Sequence, residues 1–322
     1  MTIDAIRAFI ADDLHAVDKV IRERLNSEVV LIRQIADYII GGGGKRLRPA
    51  LLVLASRACG YRGEHHHELA AVIEFIHTAT LLHDDVVDES ALRRGQATAN
   101  ALFGNAAAVL VGDFVYSRAF QMMLAANNME VLRVLADATN VIAEGEVLQL
   151  MNCHNADLDE EGYLQVIRYK TAKLFEAATR LGAILGEAGP AVEEAMAAYG
   201  AHLGTAFQLI DDVLDYSGDH AVIGKNVGDD LAEGKATLPL IFAMKRGTPE
   251  QAQVVRHAIQ SGGIDELGPV LDAIRASGAL DYARAQAQAE ARTACAALEA
   301  LPHSPYREYL VQLTDFAVTR TF

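Results

Sequence analysis

The chain has 322 residues, 51% of them hydrophobic, and a net charge of −15 from 43 acidic against 28 basic residues. That length and apolar fraction allow a large buried core, and the negative balance excludes a nucleic-acid backbone as the expected partner. Ala, Leu, Glu and Gln dominate, Trp is absent and strand-type alternation is almost missing, so a mainly helical protein is expected. Cys59, Cys153 and Cys295 are odd in number and form no close-spaced ligand motif, so reduced core thiols in a cytoplasmic protein are expected. Charges interrupt residues 1–40 every few positions, so neither a signal peptide nor a membrane-spanning helix is expected.

In chain order, residues 3–25 and 29–40 carry the pattern of two amphipathic helices, the second stopped by Gly41-Gly42-Gly43-Gly44. Lys45-Arg46-Leu47-Arg48-Pro49 follows, before a third helix through Ala58. Glycines free the backbone, and cations packed beside them at a helix start make an anion cradle. The order is not that of a Walker A loop, since Leu47 and Arg48 follow Lys45. Phosphate binding is favoured here over a plain linker. His65-His66-His67 is expected in a polar loop after Gly63; adjacent histidines point in different directions, which favours exposure over metal binding.

Residues 69–82 are largely apolar, contain no Pro or Gly, and predict a buried helix that ends in His83-Asp84-Asp85-Val86-Val87-Asp88-Glu89. At about 100° per residue, His77, Thr80, Asp84 and Asp88 share one face, and the carboxylates gather where the helix dipole opposes them. A cation has to offset that cost. Carboxylates one turn apart can hold Mg²⁺ and leave positions for water or phosphate oxygens. Arg93-Arg94-Gly95 follows on a loop, where the guanidinium groups either neutralise the cluster or clamp phosphates.

Residues 98–124 are again apolar, with Tyr116, Phe120 and Met123 at the spacing of a core stripe. A helix over 131–151 carries Glu144, Glu146 and Gln149, either as supporting groups of a site or as surface. A further helix over 163–185 contains Tyr169-Lys170-Thr171-Ala172-Lys173, where a Lys beside a hydroxyl suits a phosphate, although an exposed Lys is the commoner outcome. The acidic device recurs near the end of a helix over 191–216, in Phe207-Gln208-Leu209-Ile210-Asp211-Asp212-Val213-Leu214-Asp215, where Gln208, Asp211 and Asp215 share a face. One such cluster is usually a solvated helix end; two with the same spacing imply a multi-metal site for a diphosphate. Residues 217–234 form a loop of a length that tends to carry function, and with Lys225, Asp229, Asp230 and Lys235 they suit a lid. The last third breaks at Gly247-Thr248-Pro249, Gly262-Gly263 and Leu301-Pro302 into helices with no evident chemistry.

Gly-Gly-Lys-Arg-Leu-Arg-Pro at 43–49, His-Asp-Asp-Val-Val-Asp-Glu at 83–89, Arg-Arg-Gly at 93–95, Lys-Thr-Ala at 170–172 and the acidic stretch at 207–215 together resemble, in this order, the motifs of trans-isoprenyl (polyprenyl) diphosphate synthases. The likeness in motifs runs from residue 39 to 239, and in length and helix pattern it covers the chain. It implies an all-α fold, a single helical domain over 1–322 built around a central cavity, normally a homodimer. It also implies Mg²⁺-dependent condensation of an allylic diphosphate with isopentenyl diphosphate. By matched position, Asp84, Asp88 and Asp211 are implied to hold two or three Mg²⁺ ions, with Asp85, Asp212 and Asp215 in support. Lys45, Arg48, His77 and Arg94 are implied to hold isopentenyl diphosphate, and Arg93, Lys170, Thr171, Gln208, Lys225 and Lys235 the allylic diphosphate. His77 alone would read as a hydrogen-bonded core histidine; the face it shares with Asp84 favours the substrate role.

In that chemistry, ionising the allylic C–O bond puts charge on the departing diphosphate, which carboxylate-held Mg²⁺ stabilises. The resemblance implies that the double bond of isopentenyl diphosphate then attacks the allylic cation and that the proton leaves with the diphosphate; no protein nucleophile is needed. A growing chain is expected to run along the helix from Asp84 toward Thr80, Ala79 and Ile76, roughly one isoprene unit per ~5.4 Å turn. Short-chain members of the resembling family often carry bulky aromatics at the fourth and fifth residues before the first Asp; Thr80 and Ala79 are small, so a long product is expected, with a floor at Met123 and Phe120. The overall resemblance, rather than a count of residues along the helix, implies octaprenyl diphosphate as the product, primed by farnesyl diphosphate and used for a quinone side chain.

The alternatives are a farnesyl or geranylgeranyl diphosphate synthase, a terpene cyclase, an HD-type metal phosphohydrolase, a di-iron bundle and a non-catalytic partner subunit. The second Asp-Asp-x-x-Asp argues against the cyclase, the isolated His154 and His202 against the phosphohydrolase, and the full set of aspartates against the partner subunit. Symmetric Glu-x-x-His pairs, which a di-iron site needs, are lacking. A lipophilic product implies transient membrane contact, without a basic anchor or stable insertion.

Overall fold

The computed structural model describes residues 3–41, 46–93, 95–217, 227–263 and 266–320. Lys45, Arg94 and Lys225 lie outside these residues. The fold is all-α, as the composition predicts, and the described strands are a single two-stranded ribbon. The chain divides into two compact units, the first comprising Met1–Thr139, Leu174–Gly200 and Ala296–Phe316, the second Asn140–Lys173, Ala201–Cys295 and Ala317–Phe322.

The first unit begins with α1 (Ile3–Phe9), α2 (Ala11–Leu25), α3 (Val30–Gly41), α4 (Leu47–Ala58) and α5 (His65–Val87). The one helix expected over 3–25 is broken at Ile10, whose φ of −113° and ψ of 29° leave the helical range. After α5 come β1 (Leu92–Arg93), β2 (Gln96–Ala97), α6 (Ala99–Phe103) and α7 (Asn105–Met123). The strands pair Leu92 with Ala97 and Arg93 with Gln96, so the loop expected at 93–95 is a tight hairpin, and Gly95 supplies the positive φ of +74° that its turn requires. The unit also takes in the start of α8 (Met129–Asn152), most of α10 (Lys173–Leu185), the start of α11 (Pro190–Ser217) and most of α17 (Pro305–Thr319).

α4 is buried apart from Arg48 and Arg57, with no surface left on Leu51, Leu52, Val53 or Leu54. α5 packs along α7 and against α4 and α2. It starts at His65 and so absorbs the triple histidine expected in an exposed loop. His66 is wholly buried, and both His66 and His67 turn toward Asp13 on α2. The expectation failed because the partner is more than fifty residues away in sequence, where the directions of adjacent side chains give no hint of it.

The second unit contains the rest of α8, then α9 (Glu160–Ile167), a wide π turn at Arg168–Ala172, the rest of α11, α12 (Asp229–Ala232), α13 (Leu238–Arg246), α14 (Pro249–Ser261), α15 (Leu267–Ser277) and α16 (Ala279–Ala297). α13, α14 and α15 pack on one another around Leu209, Val213, Leu240, Ile259 and Val270. α16 buries Ala279, Ala283, Ala287 and Ala291 at four-residue spacing, small side chains that let its axis come close to the core. The expected break at 247–249 is a capping box: Thr248 accepts from the Gln251 N–H, the Gln251 side chain accepts from the Thr248 N–H, and Pro249 opens α14. Part of the loop expected over 217–234 is helical, as α12. Among the described residues no helix is long and apolar enough to cross a membrane, and Cys59, Cys153 and Cys295 form no disulfide with one another.

In the first unit α10 meets α4 at Gly182, where an added Cβ would lie 2.6 Å from Ala55 Cβ and 2.7 Å from the Ser56 nitrogen. Backbone cannot yield there, so Gly182→Ala is expected to destabilise the protein by about 1–3 kcal/mol. Gly268→Ala on α15, where nothing lies within 4 Å, is expected to be neutral or to stabilise by up to about 1 kcal/mol. Urea unfolding of the two variants checks the opposite signs, and an unchanged midpoint for Gly182→Ala would rule out the close approach.

Candidate active site

The first aspartate cluster closes α5, with Asp88 as its C-cap. Asp84 and Asp88 are partly exposed and one turn apart, and the Asp88 N–H donates to the Asp84 carbonyl at 2.8 Å. Asp85, about 100° further round the helix, points inward and is 4% exposed. Arg93 donates to its Oδ1 from Nε at 2.7 Å and from Nη2 at 2.6 Å. Burial pushes the Asp85 carboxyl up, and Arg93 pulls it the other way. Asn100 Nδ2 donates to the carbonyls of Asp85 at 3.0 Å and Ser90 at 3.3 Å, and Thr98 Oγ1 donates to Ser90 at 2.7 Å. The segment after the hairpin thus satisfies carbonyls around the helix end.

Upstream on α5, His77 and Thr80 are partly buried on the Asp84 face. Arg48, in the first turn of α4, brings Nη1 within 3.1 Å of His77 Nε2 and stacks its guanidinium 4.7 Å from the centre of the Phe175 ring. Two residues expected to hold isopentenyl diphosphate therefore reach one spot from separate helices, and since arginine only donates, His77 Nε2 is the acceptor. Arg46, beside them in sequence, pairs instead with Glu74. Ala79 and Met123 are fully buried, and Thr80 Oγ1 donates to the His77 carbonyl at 2.9 Å. Phe120, expected with Met123 in the floor, is 37% exposed and packs beside Tyr116.

The second cluster divides in the same way on α11. Asp212 is 2% exposed and accepts hydrogen bonds from the Tyr163 hydroxyl and from Gln208 Nε2, the latter at 2.8 Å. Burial pushes its carboxyl up, and the charge of Asp230 adds to the shift. Thr171 Oγ1 donates to Gln208 Oε1 at 3.1 Å, so Thr171, Gln208, Asp212 and Tyr163 form one hydrogen-bonded chain. Asp211 and Asp215 are partly exposed and one turn apart. The backbone N–H of Asp230 approaches Asp215 Oδ2 at 3.4 Å, and the N–H of Gly228 donates to the Asp215 carbonyl at 3.1 Å, which ties the start of α12 to the cluster.

Asp211 pairs with Arg320 at 2.7 Å. Arg320 also donates to the Phe207 carbonyl at 2.7 Å and lies 3.8 Å from the centre of its ring. The last third of the chain, expected to carry no chemistry, thus supplies the counter-ion of a key carboxylate; no local pattern links residues a hundred positions apart. Lys170 pairs with Glu146 and Lys235 with Glu233. Lys170 and Thr171 stand on the π turn, where a continuous helix was expected. A Cβ on Gly145 would lie 2.7 Å from the Lys170 nitrogen. That close approach had a signal in the sequence, because a glycine inside a helix, here between Glu144 and Glu146, costs about 1 kcal/mol against alanine.

Each cluster therefore offers two partly exposed carboxylates one turn apart and keeps a third inside as an anchor. Among the described residues neither cluster belongs to a group of three convergent metal ligands. Partly exposed carboxylates one turn apart are a donor set that fits Mg²⁺, which keeps much of its octahedron for water and phosphate oxygens.

A family model for polyprenyl synthetase matches residues 29–273. The octaprenyl diphosphate synthase of Escherichia coli (strain K12) is 57% identical over 321 residues, 99% of each chain. The all-trans-nonaprenyl-diphosphate synthase (geranyl-diphosphate specific) of Rhodobacter capsulatus is 48% identical over 98% of this chain and 97% of its own. A crystal structure of polyprenyl synthase from Caulobacter crescentus CB15, complexed with calcium and isoprenyl diphosphate, superposes with a TM-score of 0.96 at 46% identity, over 100% of this chain and 98% of that one. With its paired aspartate helices and these full-length likenesses, the chain belongs to the polyprenyl synthetase family of trans-prenyltransferases.

Proposed function

We propose that this protein extends farnesyl diphosphate by successive head-to-tail condensation with isopentenyl diphosphate and releases all-trans octaprenyl diphosphate for a quinone side chain. The observation that carries this reading is the shared division of the two clusters: Asp84 with Asp88 and Asp211 with Asp215 stand partly exposed, while Asp85 and Asp212 are buried on hydrogen-bond donors. An octaprenyl length is supported by the 57% identical Escherichia coli relative and by the small Ala79 and Thr80 beside the first cluster.

Asp84, Asp88 and Asp211 are the residues that would hold two or three Mg²⁺ ions, with Asp85, Asp212 and Asp215 in support. When bound, Mg²⁺ supplies the positive charge that stabilises the departing diphosphate. Arg48 and His77, with Lys45 and Arg94, bind and orient isopentenyl diphosphate; the stacking of Arg48 on Phe175 holds its guanidinium ready for a phosphate. Thr171, Gln208, Arg93, Lys225, Lys170 and Lys235 receive the allylic diphosphate, the last two exchanging Glu146 and Glu233 for phosphate oxygens. Buried apolar groups such as Ile76, Ala79 and Met123 exclude water from the allylic cation.

The reading requires the ends of α5 and α11 to serve one diphosphate within a single catalytic domain over 1–322. It is completed by a homodimer in the cytoplasm, for which the exposed Leu110 and Val109 of α7 suit a second copy of the chain. The lipophilic product reaches the membrane by transient contact.

Asp84→Ala is expected to lower turnover at least about a hundredfold with little change in melting temperature, and chelation with EDTA should do the same until Mg²⁺ is restored. Incubation with farnesyl diphosphate and labelled isopentenyl diphosphate measures both, and a near-normal rate in the variant sinks the role assigned to Asp84. Ala79→Tyr and Thr80→Phe are expected to shorten the product by one or more isoprene units, read by chromatographic sizing. Unchanged length in two folded variants would mean that the chain does not grow along α5.

A further inference from the structure

Three more metal-competent side chains converge at the other end of α5. Asp13 stands in the first turn of α2, and His66 and His67 in the first turn of α5. His66 Nε2 lies 3.0 Å and His67 Nε2 2.8 Å from the same oxygen, Asp13 Oδ1. The three ligand atoms all fall within 4.8 Å of one another, the one such group among the described residues. The two imidazole rings are 3.9 Å apart at their centres. His66 is fully buried, while Asp13 and His67 each keep 17% of the side chain exposed, so an ion can enter.

Hydrogen bonding alone serves this group poorly. Arg57 Nη2 also reaches Asp13 Oδ1, at 2.8 Å, so three groups crowd one oxygen that has two lone pairs. The other nitrogen of His66, Nδ1, is buried without a hydrogen-bond partner, so whatever the ring does here it does through Nε2. Burial lowers the His66 pKa to about 4, against the pull of Asp13, which leaves the ring neutral; in the tautomer with its proton on Nδ1, the lone pair stands on Nε2, the nitrogen beside Asp13. Burial would raise the Asp13 carboxyl, but the hydrogen bonds from Arg57, His67 and His66 hold it well below the usual carboxylate range. Neutral imidazole and ionised carboxylate are the forms that a metal requires.

We propose that Asp13, His66 and His67 bind a borderline divalent transition ion of the Zn²⁺ type, which ties the first turn of α2 to the first turn of α5. Two imidazole nitrogens and a carboxylate oxygen suit such an ion at about 2.0–2.2 Å each. Tetrahedral bonds of that length set neighbouring ligand atoms roughly 3.3 Å apart, a small expansion of the 3.0 Å and 2.8 Å that separate the two imidazole nitrogens from Asp13 Oδ1. Water takes the fourth position. Arg57 competes for the same carboxylate and keeps the affinity below that of a closed four-ligand site. His66 precedes Asp84 by eighteen residues of one helix, about 27 Å at ~1.5 Å per residue, so the site is separate from the aspartate clusters and carries none of the prenyl-transfer chemistry.

The test uses full-length protein stripped of metal. One arm follows thermal unfolding as ZnCl₂ is added; the other records electron paramagnetic resonance with one equivalent of CuSO₄. Wild type and Asp84→Ala are expected to show the same rise in melting temperature and nitrogen hyperfine lines from two imidazoles. His67→Ala and His67→Gln are expected to lose both, and the glutamine variant, which keeps a polar group beside Asp13, separates loss of a ligand from loss of the fold. A wild-type rise in melting temperature in either His67 variant overturns the site. A wild-type copper spectrum with oxygen ligands only does so without reference to any variant.

Discussion

Like charges crowded at the end of a helix are the constraint that the rest of this structure answers. Two carboxylates one turn apart, with a third between them, repel one another and oppose the helix dipole. In both clusters the chain reduces the problem by turning the middle aspartate inward and giving it donors: Arg93 for Asp85, Tyr163 and Gln208 for Asp212. What remains is a pair of partly exposed carboxylates on a helix that cannot easily fray. In the second cluster Arg320 offsets part of that repulsion by pairing with Asp211.

The rest of each unit serves to hold those helices. α5 packs against α7, α4 and α2, and α4 is itself buried apart from Arg48 and Arg57. Arg48 is therefore offered to His77 from a fixed platform. In the second unit the alanine stripe of α16 lies within the same core as Leu209 and Val213, on the far side of α11 from its acidic face. Rigidity in both places comes from close packing of small and branched side chains, and substitutions there act on chemistry only through position.

Much of this was legible in the sequence because it is local. Four-residue spacing puts Asp84 with Asp88 and Asp211 with Asp215 whatever the tertiary fold, and the Thr248-Pro249 signal opened a helix as its chemistry requires. The partners were less legible in proportion to their distance. Arg93 is eight residues from Asp85 and stands out in the sequence as a cation near the cluster; Tyr163 and Arg320 are far from the aspartates they pair with, and no local pattern marks them. The histidines at 65–67 failed for the same reason, since the carboxylate that draws two of them inward lies on an earlier helix. Phe120 shows the complementary error: helical spacing grouped it with Met123, but it is exposed where Met123 is buried.

The wide turn at Arg168–Ala172 acts as an angular correction. Tyr163 and Thr171 both address α11, one through Asp212 and the other through Gln208, which are themselves one turn apart. Eight residues of regular α-helix overshoot two full turns by about 80°, enough to swing the hydroxyl of Thr171 off the row that Tyr163 faces. Unwinding a single turn takes back part of that excess and lets two oxygens on one rod meet two neighbours on another. Seven residues of regular α-helix fall about 20° short of two turns, so the wide turn absorbs the eighth: the extra residue leaves Thr171 on the row that Tyr163 faces while Lys170 beside it reaches Glu146 on α8.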